Sequence, residues 1–98
     1  MDKERVDKWL WHARFFKTRA LAQTVIEKGH VRINGVKHKK PSATIAVGDV
    51  LTFTQARTVR VVEVLEFAQK RGPAKEAQLL YVDLTPKDEP RELIDPRG

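Results

Sequence analysis

The side chains here that could drive catalysis are few, and their spacing supports no reaction. Ser42 is the only serine and stands outside any Gly-x-Ser-x-Gly elbow of the kind that exposes a nucleophile. His12, His30 and His38 lack the spacing that puts two imidazoles on one helix face, and no cysteine is present to join them around a metal. Gly29 and Gly35 do not frame a phosphate loop, because both the interval and the following lysine are wrong. The carboxylates of the second half form no paired motif. A protein with no catalytic role, no cofactor and no metal is expected.

What the chain does carry is positive charge, unevenly spread. Of 19 Lys/Arg and 13 Asp/Glu, residues 1–40 hold eleven of the former and four of the latter. That half therefore stands at +7 and residues 41–98 at −1, within a net charge of +6. A basic half joined to a neutral half is the electrostatic footprint of a polyanion binder, whereas charge serving only solubility would be spread evenly. A length of 98 residues with 41% hydrophobic content points to one domain with a modest core. The absence of cysteine excludes a disulfide framework. The apolar runs are too short to cross a bilayer, and no signal-peptide core follows the charged start. A soluble, cytoplasmic, monomeric protein is expected.

The elements that must position these cations can be read from periodicity. Residues 5–14 predict a helix in which Val6, Trp9, Leu10 and Ala13 share one arc, with Arg5, Asp7, Lys8, Trp11, His12 and Arg14 on the other. Thr18 is a good N-cap for a second helix over residues 19–28, with Leu21, Ala22, Val25 and Ile26 inward and Gly29 at its left-handed end. Asn34-Gly35 between Val31-Arg32-Ile33 and Val36-Lys37-His38 is a strong hairpin signal, which sets Arg32 opposite Lys37. Residues 41–46 read as irregular, 51–54 and 58–67 as strands, and 73–84 as a short helix, although Leu79 to Leu84 also alternates like a strand. Residues 86–98, rich in proline and charge, read as a flexible tail.

The stretch RVDKWLWHARFFKTRALAQTVIEKGHVRING, with Gly48-Asp49 further on, resembles the S4-type RNA-binding domain over residues 5–54. The shared features are Arg5-x-Asp7, Thr18-Arg19, Ala22, Ile26, Gly29, Asn34-Gly35 and Gly48-Asp49. Asp7-Lys8-Trp9-Leu10-Trp11, Phe15-Phe16-Lys17-Thr18-Arg19 and Arg71-Gly72-Pro73-Ala74 are most similar to the heat shock protein 15 family. The resemblance implies an α+β fold, a two-helix hairpin packed on a small, mostly antiparallel sheet, with residues 1–85 as one unit. It also implies binding of structured RNA, ribosomal RNA above all. For that family it implies free large ribosomal subunits that still carry a nascent chain on tRNA. The short, acidic, proline-rich tail departs from the longer basic extension of some relatives, so no RNA contact is carried over to it. A DNA-binding or nucleoid protein using the same basic face is the competing reading, since residues 5–28 resemble a helix–turn–helix; the outward face of Arg19, Gln23 and Glu27 is thin for base readout.

The expected RNA-contacting residues begin at the second helix, where free backbone N–H groups, Lys17, Thr18 and Arg19 surround one point suited to phosphate. Thr18 is a cap first and a contact second. Gln23, one turn on, reaches the same groove or is an ordinary exposed polar residue. Arg5, Lys8 and His12 form a stripe on the outer side of the first helix. Arg14 joins them or pairs with Asp7, which is itself read as a structural acid that orients arginines. Trp9 belongs to the core, while Trp11 either stacks on an unpaired base or is covered by the C-terminal half. Arg32, Lys37, Lys39 and Lys40 complete the surface, with His30 as an added donor and His38 partly packed.

Overall fold

A computed structural model describes residues 2–86. The expectation of a flexible tail falls on residues that, Pro86 apart, lie outside these. In chain order the elements are β1 (Glu4–Arg5), α1 (Val6–His12), α2 (Arg19–Glu27), β2 (Val31–Ile33), β3 (Val36–His38), β4 (Thr44–Ile45), β5 (Val50–Gln55), β6 (Thr58–Val64), α3 (Ala74–Ala77) and β7 (Tyr81–Asp83). Five strands form an antiparallel sheet in the order β3-β2-β5-β6-β7, and β1 pairs with β4 in a separate two-stranded ribbon. The fold is α+β, as expected.

Alternation along the strands explains how the sheet packs. Val31, Ile33, Leu51, Phe53, Val62 and Val64 are buried on one face and meet Val6, Trp9, Leu10, Ala22 and Ile26 of the helices. Phe15 and Phe16, from the link between the helices, complete an aromatic cluster. Phe15 lies 4.6 Å from the Tyr81 ring and 4.9 Å from that of Phe53. The Trp9 indole N–H donates to the Glu66 carbonyl at 2.9 Å, which ties α1 to the C-terminal half through a buried polar atom.

Both helices end in the same device. After α2, Gly29 adopts φ +81°, His30 N–H donates to Val25 O and Gly29 N–H to Ile26 O. After α1, Arg14 takes the left-handed place at φ 66°, with Phe15 N–H donating to Leu10 O and Arg14 N–H to Trp11 O. These are Schellman caps, one with the expected glycine and one with an arginine that bears the Cβ strain. At the β2–β3 turn, Asn34 (φ 51°) and Gly35 (φ 83°) give the mirror-image geometry that fits strand twist. Asn34 also donates its side-chain N–H to Asp49 and accepts from Val50 N–H, so the Gly48-Asp49 loop clamps the hairpin.

The first helix is shorter than expected, Val6–His12, with Arg5 in β1, and three later segments differ in kind or extent. The helix expected at residues 73–84 is one α-helical turn and one 3-10 turn (Gln78–Leu80), after which residues 81–83 become an edge strand on β6. The alternating pattern there outweighs the helical one, because β6 offers free ladder groups. The strand expected over 58–67 stops at Val64, since Leu65 and Glu66 donate to the Leu80 carbonyl instead. Residues 41–46 include β4, too short for any periodicity to reveal, where Thr44 pairs with Arg5.

Candidate nucleic-acid interface

The start of α2 is built around one buried acid. Asp7, whose side chain is fully shielded from solvent, accepts hydrogen bonds from Arg5 (3.1 and 3.2 Å), Arg19 (3.3 and 3.5 Å) and Gln23 (2.9 Å), and from the Lys8 backbone N–H (2.7 Å). Burial alone pushes its carboxyl pKa up. Hydrogen bonds from Gln23, Arg19 and Arg5, together with the charge of Arg19, outweigh that and hold it below the ordinary value. The anion therefore stays ionised and fixes two guanidinium groups that remain partly exposed, with side-chain exposures of 46% for Arg5 and 37% for Arg19. Thr18 Oγ1 accepts from Leu21 N–H at 3.1 Å, the cap expected of it. Lys17 is exposed beside it.

The hairpin cations join this region through the backbone. Arg32 and Lys37 are exposed and directly opposite each other, as the turn requires. Lys37 and Lys39 lay their aliphatic stems close to Gly29, at the far end of α2. The chain then passes exposed Lys39 and Lys40 and returns to α1, where Val6 N–H donates to Ala43 O and Thr44 pairs with Arg5. Thus the loop carrying Lys39 and Lys40 runs from one end of α2 back to the arginines at the other. Lys8 is partly exposed and 3.5 Å from Glu4, which moderates its charge. His38 is partly packed.

Three residues expected at the RNA surface have neighbours from the C-terminal half. His12 is not on the outer side of α1. It is only 2% exposed, with burial pushing its pKa down ahead of the opposing pull of Glu4, because residues 66–68 and 77–80 close over the helix end. Trp11 is half-buried, with the Arg71 guanidinium 5.7 Å above its ring and the Arg71 Nε–H donating to its carbonyl at 3.1 Å. The C-terminal half thus meets the Trp11 ring through Arg71, while part of the residue stays exposed. Arg14 does not pair with Asp7; it donates to the Gly72 carbonyl at 3.1 Å. Gln23 is not an idle surface amide but one of the donors to Asp7. Asp7 orients arginines, as its reading as a structural acid implies, and those arginines are Arg5 and Arg19.

Residues 4–51 match the S4 domain family, a stretch that includes the whole Asp7-centred cluster. Over 88 residues the chain is 47% identical to heat shock protein 15 of Escherichia coli K12, a match covering 90% of this chain and 65% of that protein. A solved structure, described as trimeric heat shock protein 15 of Vibrio cholerae, superposes with a TM-score of 0.78 at 39% identity, covering 84% of this chain and 82% of the other. The chain belongs to the heat shock protein 15 family of S4-domain proteins. A more distant match is a small ribosomal subunit protein of Erythrobacter litoralis, 38% identical over 51 residues, 52% of this chain and 25% of that one. This member of the heat shock protein 15 family thus spans just under two thirds of the length of its Escherichia coli relative. Among the described residues no cluster could hold a metal ion, and no helix is long and apolar enough to cross a membrane.

Proposed function

We propose that this protein binds structured ribosomal RNA without catalysing a reaction, and that residues 1–85 are the unit that does so. The observation that carries the reading is Asp7: a buried carboxylate that holds Arg5 and Arg19 beside the capped start of α2. Guanidinium groups fixed in advance lose less freedom on meeting a phosphate than free ones do, so such a surface favours a folded sugar-phosphate backbone. The residues that meet RNA are Arg5, Lys8, Lys17, Arg19, Arg32, Lys37, Lys39 and Lys40, with Thr18 and Gln23 supporting the arginines and the cap. Arg14, Trp11 and His12 do not join them, because the C-terminal half engages all three.

The matches to heat shock protein 15 and to a ribosomal protein favour the ribosome as the source of the RNA. The partner in this reading is the free large subunit in a rescue or recycling state that retains a nascent chain on tRNA. One chain carries the whole surface, so a monomer suffices for binding. Sedimentation of tagged protein from a lysate through a ribosome gradient tests this: the protein travels with free large subunits, and more so when stalling is induced. Travel with small subunits alone would contradict the large-subunit assignment. Migration at the top of the gradient, with preference for duplex DNA over ribosomal RNA, would contradict RNA binding itself.

A further inference from the structure

The face of the sheet turned away from the helices carries a second basic feature. Since Val31, Ile33, Leu51 and Phe53 point into the core, alternation sends Arg32 and Thr52 to the opposite face. Lys37, Arg32 and Thr52 stand in register across β3, β2 and β5, in one row. Beside that row runs an open groove of about 380 Å³, lined by Lys28, His30, Arg32, Lys37, Thr52 and Thr54. Among the described residues no carboxylate lines it.

Two features show that the charges are gathered and held there. Gly29 has no Cβ, and one added would meet Lys39 Cε at 3.3 Å and Lys37 Cδ at 3.4 Å. The lysine stems therefore lie close against the end of α2, whose carbonyl dipole favours cations. In addition, Arg32 and Lys37 face each other directly across the ribbon, a like-charge pairing that costs stability until an anion lies between them. The Arg32 guanidinium is steadied by a 3.3 Å hydrogen bond to Gly35 O.

We propose that this groove is a second phosphate-binding subsite, which takes an RNA strand separate from the one held at the start of α2. The proposal rests on the RNA-binding reading above and extends it. The two cation groups sit at opposite ends of α2, about 14 Å apart along its axis for nine residues of rise. One backbone strand meets Arg5, Lys17 and Arg19, while another lies along Lys28, Arg32 and Lys37, with the Thr52 and Thr54 hydroxyls as added polar partners. Such two-strand engagement reads the shape of an RNA helix rather than its sequence.

The test compares salt-dependent binding of a short RNA stem-loop by the full chain and three double variants. Arg32→Gln/Lys37→Gln weakens binding by roughly 10- to 100-fold near 0.1 M salt and lowers the slope of log K against log salt by about 2, since each cation removed frees about one phosphate. Its thermal stability is unchanged or raised, because the opposed charges are gone. Lys17→Gln/Arg19→Gln weakens binding separately, and Lys70→Gln/Lys75→Gln, with the same change in net charge, has little effect. If the groove variant binds no more weakly than this last control while Lys17→Gln/Arg19→Gln is impaired, the second subsite is overturned together with the assignment of Arg32 and Lys37 to the RNA surface, while RNA binding at the start of α2 stands. If the wild-type chain does not bind the stem-loop, both fall.

Discussion

The two ends of the helical hairpin carry similar residues and put them to opposite uses. At the start of α2, Arg5, Arg19 and Gln23 converge on a buried anion and leave partly exposed guanidiniums facing outward. At the end of α1, Arg14, Trp11 and His12 are engaged by the chain around residues 66–80: Arg14 by the Gly72 carbonyl, Trp11 by Arg71, and His12 by burial. A cation count does not distinguish the two. What does is whether an arginine's partner is a buried anion that holds two guanidiniums together, or a single carbonyl of the C-terminal half on the open surface.

That contrast can be broken most severely at Asp7. Asp7→Ala leaves Arg5, Arg19 and Gln23 without their shared acceptor. Urea unfolding should show a loss of about 2–4 kcal/mol, somewhat below the cost for wholly buried pairs because both arginines reach solvent. Asp7→Asn, which keeps the shape and part of the bonding, should lose less. RNA affinity should fall with both, even where the fold survives. An Asp7→Ala protein of wild-type stability would remove the anion as the organiser of this region.

Next in size is the removal of the cations themselves. Lys17→Gln/Arg19→Gln should weaken RNA binding by about 10- to 100-fold, a ΔΔG of about 1.4–2.7 kcal/mol, in a filter-binding titration. The corresponding change at the other end, Trp11→Ala, should leave RNA affinity within about twofold while lowering the melting temperature, because the ring already holds the Arg71 guanidinium in place of a base, whose stacking would be worth roughly 1–3 kcal/mol. Equal effects on affinity at both ends would erase the distinction.

A pH titration sharpens the contrast further. Both Asp7 and His12 have folded pKa values below their ordinary ones, so both contribute stability that is lost as pH falls, but in separate windows. For His12 the contribution is complete above the ordinary histidine value near 6.5 and declines as pH drops from there toward its lowered folded value. For Asp7 it is complete above the ordinary aspartate value of about 3.9 and is lost only in stronger acid. Chemical denaturation across pH should therefore show two steps, with the upper one absent in His12→Gln. The smallest effect belongs to Arg14→Gly. Relief of left-handed strain at the cap offsets the missing hydrogen bond to Gly72, leaving stability within about 1 kcal/mol of wild type and RNA affinity unchanged.

Local chemistry was legible in the sequence wherever the cause and its effect lie within a few residues. Thr18 caps its helix, Gly29 ends it, and Asn34-Gly35 makes the turn that opposes Arg32 to Lys37, because each depends on one residue's dihedrals or one side-chain oxygen. The Asp7 cluster was half legible: Asp7 read as an acid that orients arginines, but the arginine named for it was Arg14 rather than Arg5 and Arg19, and Gln23 reaches it only once the two helices pack. His12 was misplaced for a long-range reason. A helical wheel sets it among polar residues, while the surface that buries it arrives more than fifty residues later. The strand at Tyr81–Asp83 was obscured in the same way, since its pairing partner β6 decides between two competing patterns.

Amide chemical-shift mapping of the full chain with a ribosomal RNA stem-loop tests the central claim most directly. Shifts should concentrate at residues 17–23 and 32–40 and be absent from residues 11–14 and 71–77. Perturbation confined to the end of α1 and the segment covering it, with the start of α2 silent, would contradict the account.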